Sequence, residues 1–292
     1  MKTRQKQKEP GDRSVIDKFR LSFKPNYIPQ GNEEALFKAA FASRIPLVVK
    51  GPTGCGKTRF IEHMAQDMDL PLITVSCHED LTAADLVGRF LFKDNQTVWQ
   101  DGPLTLAVRH GGICYLDEIV EARKDTTVII HSLTDDRRIL YIDKTSEVIQ
   151  ADPNFMMVLS YNPGYQSVVK DLKESTKQRF GSVLFKNPPV DVEAEIIRTE
   201  SGLSAEQSLK LAEMGSKIRE LKGFGLEEGV SSRLLVYVGR LVKQGLPVAD
   251  ACSCAVSWTL TDESQVLESI QNIVNLYFGE LAPVASADEK KS

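Results

Sequence analysis

IPLVVKGPTGCGKTR, residues 45–59, is an apolar run that breaks into a glycine-rich loop ending in Lys57 and Thr58. It reads as a buried strand over Ile45 to Val49, a phosphate-binding loop and the first turn of a helix. Gly51, Gly54 and Gly56 let the backbone curl so that successive N–H groups face a polyphosphate, because no Cβ blocks the approach. The helix that opens near Gly56 adds its positive end. Lys57 then reaches the β and γ phosphates, and the Thr58 hydroxyl takes a coordination position on Mg2+. The loop Gly51, Pro52, Thr53, Gly54, Cys55, Gly56, Lys57 and Thr58 is thus a candidate nucleotide site. Its pattern fixes only four positions, but the β-branched strand before it and the helical spacing of Phe60, Ile61, Met64 and Ala65 after it argue against a chance turn.

At 292 residues the chain can bury a full core and divide into two domains. A net charge of -4 supplies no general attraction to nucleic acid, so neither DNA nor RNA is an expected partner. The five cysteines, Cys55, Cys77, Cys114, Cys252 and Cys254, form no C-x-x-C pair and suggest neither a disulfide framework nor a zinc site. They suit a reducing cytoplasm. No apolar run approaches the ~20 residues of a membrane span, and the basic start MKTRQKQK leads into no apolar signal core, so no membrane association is expected.

Four segments follow from the composition: an N-terminal arm at 1–26, partly disordered; an α/β core at 27–190; an α-helical lid at 191–280; and a disordered tail at 281–292. In the core, Tyr27 and Ile28 either border an adenine or pack as ordinary core. A helix follows with Asn32 as N-cap and Leu36, Phe37, Ala40 and Phe41 on its inner face. Pro71 to Ser76 reads as a second strand, and Thr82 caps a short helix. FLFKDNQTVWQDGPL reads as a hairpin turning at Asp94-Asn95. Its Phe90, Leu91 and Phe92 either contact a substrate or partner, or pack the hairpin onto the domain.

GGICYLDE, residues 111–118, is an apolar strand closed by two carboxylates, about sixty residues after the loop. At the strand's carboxyl end Asp117 meets the Mg2+ shell, while Glu118, on the departing turn, polarises the attacking water. RRILYIDKTSEVIQ reads as a second hairpin with its turn at Lys144 to Ser146. The buried strand FMMVLS then leads to Asn162, which either bonds the lytic water or γ-phosphate or simply starts a turn. Arg179, at the end of a short helix, is either a solvated residue or an arginine finger for a neighbouring subunit. NPPVD, residues 187–191, reads as a rigid linker. Beyond it come four amphipathic helices, with LESIQNIVNLYFGEL as a possible fifth. Arg233 opens the third of them, either as a helix-surface residue or as a lid arginine closing over phosphates.

Strand-loop-helix, Asp-Glu strand, Asn strand, finger Arg and helical lid, in that order, resemble an AAA+ P-loop ATPase: a parallel sheet with helices on both faces, followed by a smaller all-α domain. Two inserted β-hairpins make the chain similar to the MoxR branch. The blocks GPTGCGKTRFIEHMA, CHEDLTAADLVGR, WQDGPLTLAVRHGGICYLDEIVEARKDTT, SYNPGYQS, STKQRF and LKGFGLEEGVSSRLLVY resemble its CbbQ/NorQ group, over roughly Tyr27 to Phe278. The resemblance implies Walker A at Gly51 to Thr58, Walker B at Asp117 with Glu118 as catalytic carboxylate, sensor 1 at Asn162, a trans finger at Arg179 and sensor 2 at Arg233. Where many MoxR proteins follow Asp-Glu with Ile-Asn-Arg, this chain has Ile119-Val120-Glu121, with Arg123 the nearest basic substitute. The resemblance further implies ATP and Mg2+ as cofactors, a homohexameric ring and an adaptor with a von Willebrand factor A domain, of CbbO type. The implied activity is that of a Rubisco activase releasing inhibitory sugar phosphates, with NorQ-type maturation of nitric oxide reductase as the alternative.

Two readings of other classes stand beside these: a monomeric P-loop kinase for a small molecule, and a nucleotide-gated scaffold without turnover. A GTPase is disfavoured, because no Asn-Lys-x-Asp guanine-reading motif is present.

Overall fold

The computed structural model describes residues 14–163, 173–226 and 228–279. The expected tail at 281–292 and the first half, 1–13, of the expected N-terminal arm lie outside them. By contact the chain divides into two compact units. The first runs to Pro52 and resumes from Gly56 to Lys186, and the second starts at Asn187 and includes the loop residues Thr53–Cys55.

The first unit is built from α1 (Ser14–Asp17), α2 (Glu33–Ala42), β1 (Leu47–Lys50), α3 (Lys57–Asp67), β2 (Leu72–Ser76), α4 (Ala83–Val87), β3 (Gly88–Lys93), β4 (Gln96–Asp101), α5 (Pro103–His110), β5 (Gly112–Asp117), α6 (Lys124–Ile129), β6 (Ile139–Ile142), β7 (Glu147–Gln150), β8 (Phe155–Tyr161), α7 (Glu174–Lys177) and β9 (Gly181–Leu184). Five strands form one parallel sheet in the order β2-β5-β8-β1-β9. β8 therefore lies between the loop strand β1 and the Asp-Glu strand β5. Its seven residues are all buried, as expected of a central parallel strand.

Pairing of β1 starts at Leu47, two residues later than the pattern predicts, and Ile45 is exposed. Pro46 has no N–H for the ladder and only accepts, from the Gly181 N–H at 2.9 Å. On α3 the predicted stripe holds, since Phe60, Ile61, Met64 and Ala65 are all buried. On α2 it holds in part: Phe37 and Ala40 are buried and Phe41 is half-buried, but Leu36 is exposed and Glu33 is buried instead. Glu33 can face inward because its carboxylate accepts from the Tyr27 hydroxyl at 2.6 Å and the Gln30 N–H at 2.7 Å. Asn32 holds the N-cap position with no side-chain cap bond, whereas Thr82 forms a full capping box with Asp85.

Both predicted hairpins form, β3 with β4 and β6 with β7. Asp94 (φ 51) and Asn95 (φ 59) both adopt the left-handed conformation that a two-residue type I′ turn requires. Trp99 packs on the core and meets Phe90 edge-on at 5.1 Å. Phe92 remains 76% exposed, and Phe90 and Leu91 are also exposed. The Arg109 guanidinium on α5 joins the two insertions, donating to Asp101 of β4 at 2.9 Å and to Glu147 of β7 at 2.7 and 3.0 Å.

The second unit contains α8 (Val190–Ser201), α9 (Ala205–Arg219), α10 (Ser232–Lys243), α11 (Val248–Cys252), α12 (Trp258–Leu260) and α13 (Ser264–Phe278). α8 begins inside NPPVD, because Pro189 at the N-cap, with φ -54 and ψ 152, sets the chain up for a helix. The possible fifth helix is present as α13. The fourth predicted helix is interrupted by a π turn at Ser253–Ser257, where mostly weak helix formers stand. Apolar faces of these helices share one core, including Ile197, Leu211, Met214, Leu235, Val256 and Ile270. Within it the fully buried Glu193 carboxylate is paired with Arg219 at 2.8 and 2.6 Å and accepts from Ser232. No described helix is long and apolar enough to cross a membrane.

Candidate nucleotide site

The ends of β1, β8 and β5 lie side by side, and each delivers one of the expected groups. After β1 the loop turns through Gly54 (φ 68) and Gly56 (φ 100), positions where a side chain would be strained. Gly56 is the N-cap of α3, so the helix's unpaired N–H groups and the positive end of its dipole lie at the loop.

Lys57 is only 8% exposed. Its ammonium donates to the Gly51 carbonyl at 2.9 Å, the Pro52 carbonyl at 2.8 Å and Asn162 Oδ1 at 2.6 Å. The expected loop lysine and sensor asparagine are therefore in direct contact. All three acceptors are uncharged, so a phosphate oxygen, which is charged, would compete well for the same protons.

Next to Lys57, Thr58 Oγ1 lies 3.4 Å from Asp117 Oδ2 and 3.3 Å from the Tyr115 hydroxyl. Tyr115 donates to Asp117 Oδ1 at 2.6 Å. Ser160 of β8 donates to the same oxygen and accepts the Glu118 N–H at 3.0 Å. Burial, the Asp117 charge and the bond to it push the Tyr115 phenol above its ordinary range, so it stays a donor. Glu118 leaves the strand in the left-handed conformation, φ 55 and ψ 48, which turns its exposed side chain away from the strand line. Such backbone strain in a non-glycine residue is characteristic of functional sites.

Hydroxyl and carboxylate oxygens are hard donors of the kind Mg2+ takes, so Thr58 and Asp117 suit that ion. Among the described residues no group of three or more His, Cys, Asp or Glu could hold a metal.

Arg179 follows α7, donates to the His131 carbonyl at 3.2 Å and approaches Asp135 Oδ2 at 3.5 Å. Asp135 is also held by Arg137 at 2.6 Å. Arg233 stands in the first turn of α10, exposed, behind the Ser231 cap. Tyr27 packs on α3, 5.4 Å from the Phe60 ring and 5.2 Å from the His63 ring.

Sequence reasoning missed Tyr115 and Ser160. The signal was there: each stands two residues before an expected site residue, Asp117 or Asn162, and in a strand such residues share a face. A hydroxyl in an otherwise apolar strand marks that face.

The AAA domain (dynein-related subfamily) profile matches residues 46–180, and the CbbQ/NirQ/NorQ C-terminal profile matches residues 193–277. The chain is 54% identical over 255 residues to Protein NorQ of Paracoccus denitrificans, covering 87% of this chain and 94% of that protein. It is also 54% identical over 254 residues to Protein CbbQ of Hydrogenophilus thermoluteolus, covering 87% of this chain and 95% of that one. Among solved structures, a RuvB mutant of Thermotoga maritima superposes with a TM-score of 0.52 at 16% identity, covering 87% of this chain and 73% of that chain; this likeness is one of fold alone.

Proposed function

Because this chain belongs to the CbbQ/NirQ/NorQ group of AAA+ ATPases, as its motif blocks implied, we propose that it is the motor of a cytoplasmic homohexameric ring that spends ATP on remodelling another protein. A von Willebrand factor A domain adaptor of CbbO type recruits the target, and the target is Rubisco blocked by a sugar phosphate. The observation that most supports a remodelling motor over a small-molecule kinase is the pairing of an AAA core with the group's own C-terminal region at 193–277.

Each residue then has a task. The loop N–H groups and Lys57 bind the β and γ phosphates, and Thr58 and Asp117 hold Mg2+, which neutralises phosphate charge. Glu118 polarises the lytic water, and Asn162 positions the water or the γ-phosphate. Arg179 serves the neighbouring subunit's nucleotide, and Arg233 closes from the helical lid.

Incubating the protein and its adaptor with sugar-phosphate-inhibited Rubisco should restore carboxylation only with hydrolysable ATP. Absence of recovery with any cognate Rubisco rejects that target. The equal identity to NorQ favours a second reading, in which the same motor matures nitric oxide reductase. Reductase activity recovered in a strain complemented with this chain, with no effect on Rubisco, selects it. Turnover that is unchanged on dilution and indifferent to Arg179→Ala would instead indicate the monomeric kinase.

A further inference from the structure

We propose that Tyr115 and Ser160 are positioning residues that orient the Asp117 carboxylate so that only Oδ2 is offered to the metal, making Asp117 a one-oxygen ligand selective for Mg2+. A carboxylate oxygen accepts about two hydrogen bonds through its lone pairs. Asp117 Oδ1 has two donors already, the Tyr115 hydroxyl at 2.6 Å and the Ser160 hydroxyl. Oδ2 faces Thr58 Oγ1 at 3.4 Å, on the side of the other metal-binding oxygen. Both hydroxyls are fixed: Tyr115 and Ser160 are fully buried on the central strands β5 and β8, which are in parallel register from Gly112 with Phe155 to Leu116 with Leu159.

The carboxylate therefore cannot rotate to present both oxygens without abandoning two buried hydroxyls, and a buried hydroxyl left unpaired is costly. This matters for metal choice, because Ca2+ accepts carboxylates through two oxygens at flexible geometry, whereas Mg2+ demands a compact octahedron. Ser160 adds a second function. By accepting the Glu118 N–H at 3.0 Å, it ties the start of the turn that carries the catalytic carboxylate to the same oxygen network. The inference rests on Thr58 and Asp117 being the metal ligands.

The test measures binding of a non-hydrolysable ATP analogue to the full chain in EDTA, Mg2+ or Ca2+, for wild type, Tyr115→Phe, Ser160→Ala and Ser160→Thr. Loss of an outer hydrogen bond to a metal ligand typically lowers metal affinity by about 10- to 100-fold. Tyr115→Phe and Ser160→Ala should raise the Mg2+ needed for half-saturation by that order, shift preference toward Ca2+ and leave binding in EDTA unchanged. Ser160→Thr, which keeps the hydroxyl, should restore the wild-type values. Wild-type Mg2+ half-saturation and Ca2+ preference in Tyr115→Phe and Ser160→Ala would overturn the proposal while leaving Thr58 and Asp117 as ligands. Wild-type binding that responds to neither cation would overturn the ligand assignment and the proposal together.

Discussion

The Lys57 ammonium lies 2.6 Å from Asn162 Oδ1, joining two residues 105 positions apart in the chain. The contact exists because β8 is inserted beside β1, with Lys50 opposite Tyr161 at the ends of the two strands. The loop lysine is thus tied directly to the residue that follows β8.

Removing either partner should have a different consequence. Lys57→Ala abolishes nucleotide binding and turnover together. Asn162→Ala keeps binding but slows phosphate release by about 10^2-fold, the usual cost of losing one preorganised donor at a reacting centre. Titration with a fluorescent ATP analogue beside a phosphate-release assay separates the two. Equal loss of binding in both variants would mean that Asn162 serves the loop's structure.

Arg179 is held by the His131 carbonyl and Asp135 of its own chain. If it acts across a subunit boundary, Arg179→Ala binds nucleotide normally and loses about 10^3-fold or more in turnover. Glu118→Gln should also be inactive, yet mixed rings of the two variants should regain part of the activity, because some sites draw an intact Glu118 and an intact Arg179 from different chains. A mixture as inactive as its parents places the arginine in cis.

Breaking the buried pair in the second unit should be costly. Glu193 is fully buried, and Arg219 also donates to the Val230 carbonyl at 2.8 Å. Glu193→Ala leaves that guanidinium without its counter-charge and should destabilise the unit by about 3–5 kcal/mol. Ser232→Ala, which removes one hydrogen bond to the carboxylate, should cost less. Urea unfolding followed by circular dichroism measures both. Because Ser232 immediately precedes Arg233, these residues also fix the start of the helix that carries Arg233.

His131 makes a prediction about pH. Burial, with the positive charges of Arg179 and Lys173 nearby, holds its imidazole below the ordinary value. A depressed imidazole is stabilising in its neutral form. That contribution is present above the unfolded value of about 6.5 and is lost as pH falls through it toward the lower folded value. The melting temperature should therefore drop between pH 7 and pH 5.5, and His131→Gln should reduce the drop. His131 Nε2 lies 3.0 Å from Thr176 Oγ1 on α7, so protonation should also loosen the segment leading to Arg179.

Local features were legible because neighbours in sequence create them. The buried stripe of α3, the Thr82 N-cap and the Asp94-Asn95 turn all depend on residues within a few positions of one another. The misreadings came from longer reach. Leu36 is exposed while Glu33, one turn earlier, is buried with its carboxylate satisfied by Tyr27 and Gln30. Ile45 fell outside its strand because Pro46 brings no N–H to the ladder, which pairs from Leu47 onward.

The sequence by itself determined that Gly51 to Thr58 has the pattern of a nucleotide loop, that Asp117 and Glu118 close a strand and that Asn162 follows another, since each motif carries its own local chemistry. It could not determine that β8 runs between β1 and β5, because strand order is set by contacts between distant segments. That order alone brings Lys57 to Asn162, and Tyr115 and Ser160 to one oxygen of Asp117. The loop is local chemistry, while the hydrogen bonding that orients Asp117 is a property of the sheet.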